Sequence, residues 1–213
     1  MKELLLGEKK LTLEEVVEVA RHYRPVKLSK SARERVEICR EIVNILHRKG
    51  IKVYGITTGF ASHRDRVIPP EESSKLSVNL IRSHCCSVGS PFPEDVVRAA
   101  MLVRANALAL GNSGVRPEVI EVLLEMLNHK VYPYVPEQGS CGSSGDLAPL
   151  SHLTLVAIGD PTGRVHRRIL GTEKGLQETD EFHRFMACRR SEKEYIAMPH
   201  PADFLPLDEK TLG

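Results

Sequence analysis

Tryptophan is absent from this 213-residue chain, and aromatic residues make up only 5% of it. Aliphatic side chains must therefore fill the core. Charge of one sign is also lacking: the formal net charge is +2, and no Lys/Arg run is interleaved with aromatics. Nothing here points to a nucleic-acid partner. No apolar run is long enough to span a bilayer, so no membrane role is expected. The stretch from Met1 to Lys10 is too briefly apolar for a signal peptide. The five cysteines (39, 85, 86, 141 and 188) are odd in number and lack framework spacing. Reduced thiols in a cytoplasmic protein are the expectation.

What is present is ordinary for a globular protein: 41% hydrophobic and 27% charged residues, enough for one core or for one core and a tail. Thr12 and Glu15 have the spacing of a capping box, and Val16, Val17, Val19 and Ala20 follow as an apolar face. This helix should stop before Pro25. Ser31 and Glu34 repeat the signal. Val36, Cys39, Val43 and Leu46 then recur at helical spacing, with Ile38, Ile42 and Ile45 beside them, up to Gly50. Residues 51–60 suggest a short extended piece and then a loop, with Tyr54 at the junction. Without any chemistry, Tyr54 is expected half-buried with its hydroxyl satisfied by backbone.

Pro69 and Pro70 open a helix with Leu76, Leu80 and Ile81 as its stripe, carrying residues 82–89 at its far end. His84, Cys85 and Cys86 do not have zinc-knuckle spacing, so no metal is expected. A histidine at a helix C-terminus is ordinarily a partner of the helix dipole. Pro93 opens an alanine- and leucine-rich helix reaching Gly111, on which Arg104 and Asn106 must be paired if buried. A further helix is predicted from Pro117 through Leu127, and extended chain from Tyr132 to Pro136. Residues 160–213 lack a sustained period and are expected to form a divergent, poorly ordered tail, with room for one short helix at Phe182 to Met186. The domain reading is therefore 1–159 and 160–213.

The densest signal lies between Val135 and Gly159. Glycines at 139, 142 and 145 and serines at 140, 143 and 144 precede an apolar run, the pattern of a tight loop feeding a buried helix. Asp146 falls where a carboxylate can accept from free backbone N–H groups at a helix start. Conventional serine chemistry does not fit. Asp146 stands where a nucleophile elbow needs its second glycine, and no Ser-x-x-Lys pair is nearby. A phosphate cradle lacks its Lys-Ser/Thr. A different reaction suits Ser143, Ser144 and Gly145. If the backbone bends tightly, the Gly145 amide nitrogen can attack the Ser143 carbonyl carbon, for which glycine is both unhindered and flexible enough. Loss of one water closes a five-membered ring, and loss of a second from Ser144 leaves a conjugated exocyclic methylene. That product is a strong electrophile of a kind the twenty side chains do not provide.

Residues 143–152, preceded by 135–140, resemble the signature of the aromatic amino acid ammonia-lyases, of which histidine ammonia-lyase is the type member. Residues 54–60, 79–84, 104–106 and 113–117 resemble further blocks of that family, in the family's order. The resemblance covers about residues 5 to 159. It implies a mainly α fold: the N-terminal portion of the L-aspartase/fumarase-like lyase fold, with short extended segments and loops, truncated before the long helical bundle. It implies a 4-methylidene-imidazol-5-one (MIO) cofactor made from Ser143, Ser144 and Gly145, with no metal. By the same resemblance Tyr54 is the catalytic base for a β-proton, and a phenol needs its environment to tune it for that task. His84 is the substrate-binding residue, with Asp146, Arg104 and Asn106 supporting. The Ser83-His84 pair looks like the histidine-using branch, giving urocanate from L-histidine. Tyrosine or phenylalanine lyases and aminomutases remain alternatives.

Several positions depart from the family pattern. Ser143 replaces a usual alanine, but only its carbonyl enters the ring. Thr57 replaces an asparagine, Ala61 a glycine, and residues 85–87 a run of smaller residues. The chain also stops less than halfway through the family's length. Two expectations follow. The chain is an ammonia-lyase acting on a small amino acid, homo-oligomeric (a tetramer in the family) or associated with a longer subunit. Alternatively, it is a catalytically inactive fragment or paralogue acting as an interaction subunit. Loss of the bundle should expose apolar faces on the helices at 70–88 and 93–110.

Overall fold

A computed structural model of the chain describes residues 2–142, 145–160 and 162–166. It is mainly helical. The predicted capping box is formed: Thr12 Oγ1 accepts from the Glu15 amide at 3.3 Å, and Glu15 accepts from the Thr12 amide at 3.1 Å. It starts helix α1 (Leu13–His22), which ends at Tyr23 in the left-handed region, ahead of Pro25. Two short strands that periodicity did not suggest, β1 (Leu4–Leu6) and β2 (Val26–Leu28), pair in parallel around α1. Their outer residues Leu4, Leu6, Val26 and Leu28 are buried.

Helix α2 (Lys30–Arg48) starts earlier than expected. Ser29, not Ser31, is its cap, accepting from the Ala32 amide at 3.1 Å. Val36 and Val43 face the core, whereas Ile38, Ile42 and Ile45 are exposed. No strand forms at residues 51–53. The loop that follows is closed by a bridge between Thr58 and Val67.

Helix α3 (Pro70–His84) stops at His84, and the chain turns into β3 (Val88–Pro91). Helices α4 (Glu94–Leu108) and α5 (Pro117–Asn128) follow as expected. Strands β4 (Tyr132–Pro133) and β5 (Pro136–Gln138) lead to helix α6 (Leu147–Ala157). Strand β5 pairs antiparallel with β3, and β4 with β6 (Val165–His166). The chain thus continues in paired structure past Gly159. The rest of the expected tail, including Phe182 to Met186, lies outside the described residues.

Helix α5 is the centre of the core, with Val119, Ile120, Leu123 and Met126 fully buried. It packs on α4, which packs on α1, while α3 packs on α6. The buried side chains are aliphatic almost throughout, and Tyr132 is the single aromatic among the buried hydrophobic residues described. A buried cation sits in this aliphatic core. Arg98 of α4 is 1% exposed and donates to the carbonyls of Val19 (2.5 Å), Ala20 (2.9 Å) and Leu127 (3.3 Å), and to the Tyr132 hydroxyl. Its guanidinium also stacks on the rings of Tyr23 and Tyr132, 4.3 and 4.8 Å from their centroids. The three carbonyls belong to the last turns of α1 and α5, where the helix dipole is negative.

The expected exposure of apolar faces holds for one helix and fails for the other. Val96, Ala100, Val103 and Ala107 along α4, and Leu110 just past it, are all exposed on one stripe. On α3, by contrast, Leu76 and Leu80 are half-buried and Ile81 is buried, because α6 covers that side. Among the described residues, no helix is long and apolar enough to cross a membrane.

Candidate active site

The glycine/serine loop is held at both ends. Before it, β5 pairs with β3, with Gln138 opposite Val88 and Pro136 opposite Pro91. The residue after β5 must be small: a Cβ on Gly139 would fall 2.0 Å from Ser87 Oγ. After the loop, α6 is buried along most of its length. Because β3 directly follows the end of α3, this pairing brings the chain at His84 alongside the chain that enters the loop.

Ser143 and Ser144 lie outside the described residues. Their neighbours Gly142 and Gly145 are exposed and both left-handed, at φ +61° and +78°. A Cβ at either would meet nothing within 4 Å, so backbone conformation, not crowding, calls for glycine there. The Gly145 amide donates to the Gly142 carbonyl at 3.3 Å, drawing together the two residues that flank the serines. These residues fit the tight bend that ring closure needs.

Asp146 differs from its expected role. It occupies the N-cap of α6 but in the left-handed region (φ +59°), and its side chain makes no capping bond. A cap normally sits in the extended region, from which its carboxylate reaches the first-turn amides. Here the carboxylate instead accepts from Ser140 Oγ and ties the loop back on itself.

His84 ends α3, half-buried, with Nδ1 2.8 Å from the Leu80 carbonyl. A carbonyl can only accept, so Nδ1 carries the hydrogen and neutral His84 keeps Nε2 as an acceptor. Ser83 Oγ braces the ring at 3.1 Å and donates to the same carbonyl at 2.8 Å. The ordinary helix-end role thus coexists with a fixed tautomer. Cys85, next in the chain, has its thiol pushed up to about 12, first by burial and then by the charge of Asp160. It stays protonated at neutral pH and is a poor nucleophile or ligand.

Arg82 and Asp160 form a clamp that sequence reasoning missed. Arg82, two residues before His84, meets Asp160, three residues after α6, at 2.8 and 2.9 Å. The Asp160 side chain is 3% exposed, and it also accepts from the Thr162 amide (2.9 Å) and hydroxyl (2.6 Å). Burial alone would raise its pKa, but the Thr162 and Arg82 hydrogen bonds outweigh burial and lower it. A lowered folded-state value means the clamp's contribution is complete above the unfolded carboxylate pKa of about 3.9 and is lost as pH falls through the folded value. We expect Asp160→Asn to lower stability by about 1–2 kcal/mol at pH 7, since Arg82 is half-exposed. Urea titrations of variant and wild type should converge below pH 4, and a gap unchanged at low pH would contradict this.

Tyr54 sits in its own loop. It is exposed rather than half-buried, stacks edge-on against Phe60 at 5.8 Å, and its hydroxyl accepts from the Ala61 amide at 3.3 Å. That bond leaves the hydroxyl's own hydrogen uncommitted. Thr57 turns inward: its hydroxyl accepts from the Val53 amide and donates to the Ile51 carbonyl, both at 2.8 Å. Ala61 occupies the left-handed region at φ +48°, which disfavours any residue with a β-carbon by about 1–2 kcal/mol. Ala61→Gly should therefore raise stability by about 1 kcal/mol and slow amide exchange across residues 54–66. A lowered melting temperature would contradict this.

Arg104 is half-buried on α4, and burial lowers its pKa; Asn106 is half-buried on the same helix. On α6, His152 has Nε2 buried without a hydrogen-bond partner among the described residues. Burial first, and then Arg164, lower its pKa. Neither periodicity nor spacing marked this histidine out.

Comparison with known proteins identifies the family. The family model for aromatic amino acid lyase matches residues 11–197, beyond the 159 boundary. Histidine ammonia-lyase of Caldanaerobacter subterraneus subsp. tengcongensis is 55% identical over 159 residues, 75% of this chain and 31% of the relative. Among solved structures, histidine ammonia-lyase from Trypanosoma cruzi superposes with a TM-score of 0.75 at 30% identity, over 97% of this chain and 37% of the other. Tyrosine aminomutase from Streptomyces globisporus gives 0.76 at 33% identity, over 89% and 34%. The chain spans about a third of the length of the curated relatives it matches. The chain belongs to the aromatic amino acid lyase family.

Proposed function

We propose that this chain carries the MIO-forming part of an ammonia-lyase of the histidine type, eliminating ammonia from L-histidine to give urocanate. The observation that carries the reading is the loop at 142–145, where two left-handed glycines joined by a hydrogen bond bracket the serine pair. Ser143, Ser144 and Gly145 would form the MIO group, which supplies an electrophile for the amino acid substrate. Tyr54 takes the β-proton: its hydroxyl is exposed and held in place by one backbone amide, a suitable setting for a group that must exchange a proton. His84 presents an acceptor at Nε2, which suits a substrate ring bearing an N–H. Asp146 holds the loop through Ser140. Arg104 and Asn106 support the site from α4. Identity of 49–55% to histidine ammonia-lyases supports histidine over tyrosine or phenylalanine and elimination over amino-group migration. A homotetrameric, cytoplasmic enzyme fits the same reading.

Urocanate formation from L-histidine by the purified chain tests it, with L-tyrosine and L-phenylalanine as competing substrates. Urocanate from histidine alone supports the assignment, and turnover of tyrosine in its place overturns it. A second reading is favoured by the exposed α4 stripe: a non-catalytic subunit that docks on a longer lyase chain. No urocanate from the chain by itself, but stable association with a full-length homologue, would select that reading.

A further inference from the structure

The exposed side of α2 carries three large apolar residues in a row. Ile38, Ile42 and Ile45 are 68%, 46% and 37% exposed, while Ala32, Val36 and Val43 on the opposite side are buried. The steps of four and three residues keep the isoleucines on one stripe. The stripe has a charged residue at each end: Glu34 lies four positions before Ile38, and Lys49, the helix C-cap, lies four after Ile45. Both are exposed, and neither has an ionic partner among the described residues. Their neighbours are paired: Arg33 with Glu37 and Glu121, and Arg48 with Glu41. An acid, three isoleucines and a base thus stand in nearly the same spacing read from either end.

We infer that this face of α2 docks on the same face of a second copy of the chain, the two helices antiparallel about a two-fold axis near Ile42. A two-fold contact uses one patch twice, so the patch must complement itself. Here it does. Ile42 meets its own counterpart, Ile38 meets the partner's Ile45, and Glu34 meets the partner's Lys49, twice. A parallel arrangement would set Glu34 against Glu34 and Lys49 against Lys49. The patch is small, so the association is weak and concentration-dependent. It is independent of the ring chemistry and of the α4 stripe.

Sedimentation velocity over a range of concentrations tests the inference, using the wild-type chain and the exposed variants E34K and K49E. Each variant sets like charges against each other at both ends of the contact, and self-association should weaken about tenfold. An equimolar mixture of the two variants sets unlike charges against each other at both ends and should regain wild-type association. A wild-type chain that stays monomeric throughout would overturn the inference. So would variants that associate like wild type, which places the contact on another face, or a mixture no stronger than either variant alone.

Discussion

Replacing Arg98 by alanine is expected to destabilise the protein by about 3–5 kcal/mol, out of the roughly 5–15 kcal/mol available to a domain. The guanidinium donates to three helix-end carbonyls and to the Tyr132 hydroxyl, and lies on two aromatic rings. Truncation leaves the Val19 and Ala20 carbonyls buried without a donor, at about 1–3 kcal/mol each, only partly offset by the removal of a buried charge, whereas the Leu127 carbonyl keeps the Lys130 amide. Because the carbonyls end α1 and α5, the loss loosens both helices against α4. Arg98→Lys keeps the charge but can neither fork between carbonyls nor stack flat, so it should recover less than half of the loss. Urea unfolding midpoints check both. A cost below about 1 kcal/mol for Arg98→Ala would mean that water replaces the guanidinium.

On the proposed reading, Tyr54→Phe reduces the rate of urocanate formation by about 10²–10⁴-fold, the usual contribution of a positioned acid–base group. The substitution removes one oxygen. The ring still packs on Phe60, and the Ala61 amide that loses its acceptor lies at an exposed residue, within reach of water. Stability should therefore fall by less than about 1 kcal/mol. These two readouts separate the catalytic role from the ordinary one. If the hydroxyl serves only to anchor the Ala61 amide, activity persists in the variant and only the melting temperature moves. Loss of rate at nearly constant stability supports its role as a base.

Much of this architecture was legible in the residues because it rests on local signals. The Thr12/Glu15 box, the prolines before α3 and α4, and the glycine-rich entry to α6 each specify their element through neighbours three or four positions away. The misses have long-range or conformational causes. Ser29 and Ser31 both suit a cap, and the β2 strand that ends at Leu28 decides for the first. Asp146 has the right chemistry for a cap but the wrong backbone region, set by the tight loop before it. Arg98 looks like any charged residue on an alanine-rich helix, and only the convergence of α1, α5 and β4 buries it. Asp160 meets Arg82 across 78 residues, a pairing no periodicity reveals. On α2, spacing put all the aliphatic residues near one another but could not say which of them the core would take.

The candidate site divides along the same line. Its candidate residues were named by motif, and the β3–β5 pairing sets the strand that follows His84 beside the strand that enters the loop. The bend that would close the ring is a conformational property of two glycines and the chain between them, invisible in residue identities.

The mass of the intact chain tests the central claim most directly. Ring formation predicts a mass short by two water molecules, with the deficit confined to the peptide that contains Ser143, Ser144 and Gly145 and cut to no more than one water by Ser144→Ala, which has no side-chain hydroxyl to lose. A chain of unmodified mass would contradict the assignment of these residues as a cofactor precursor.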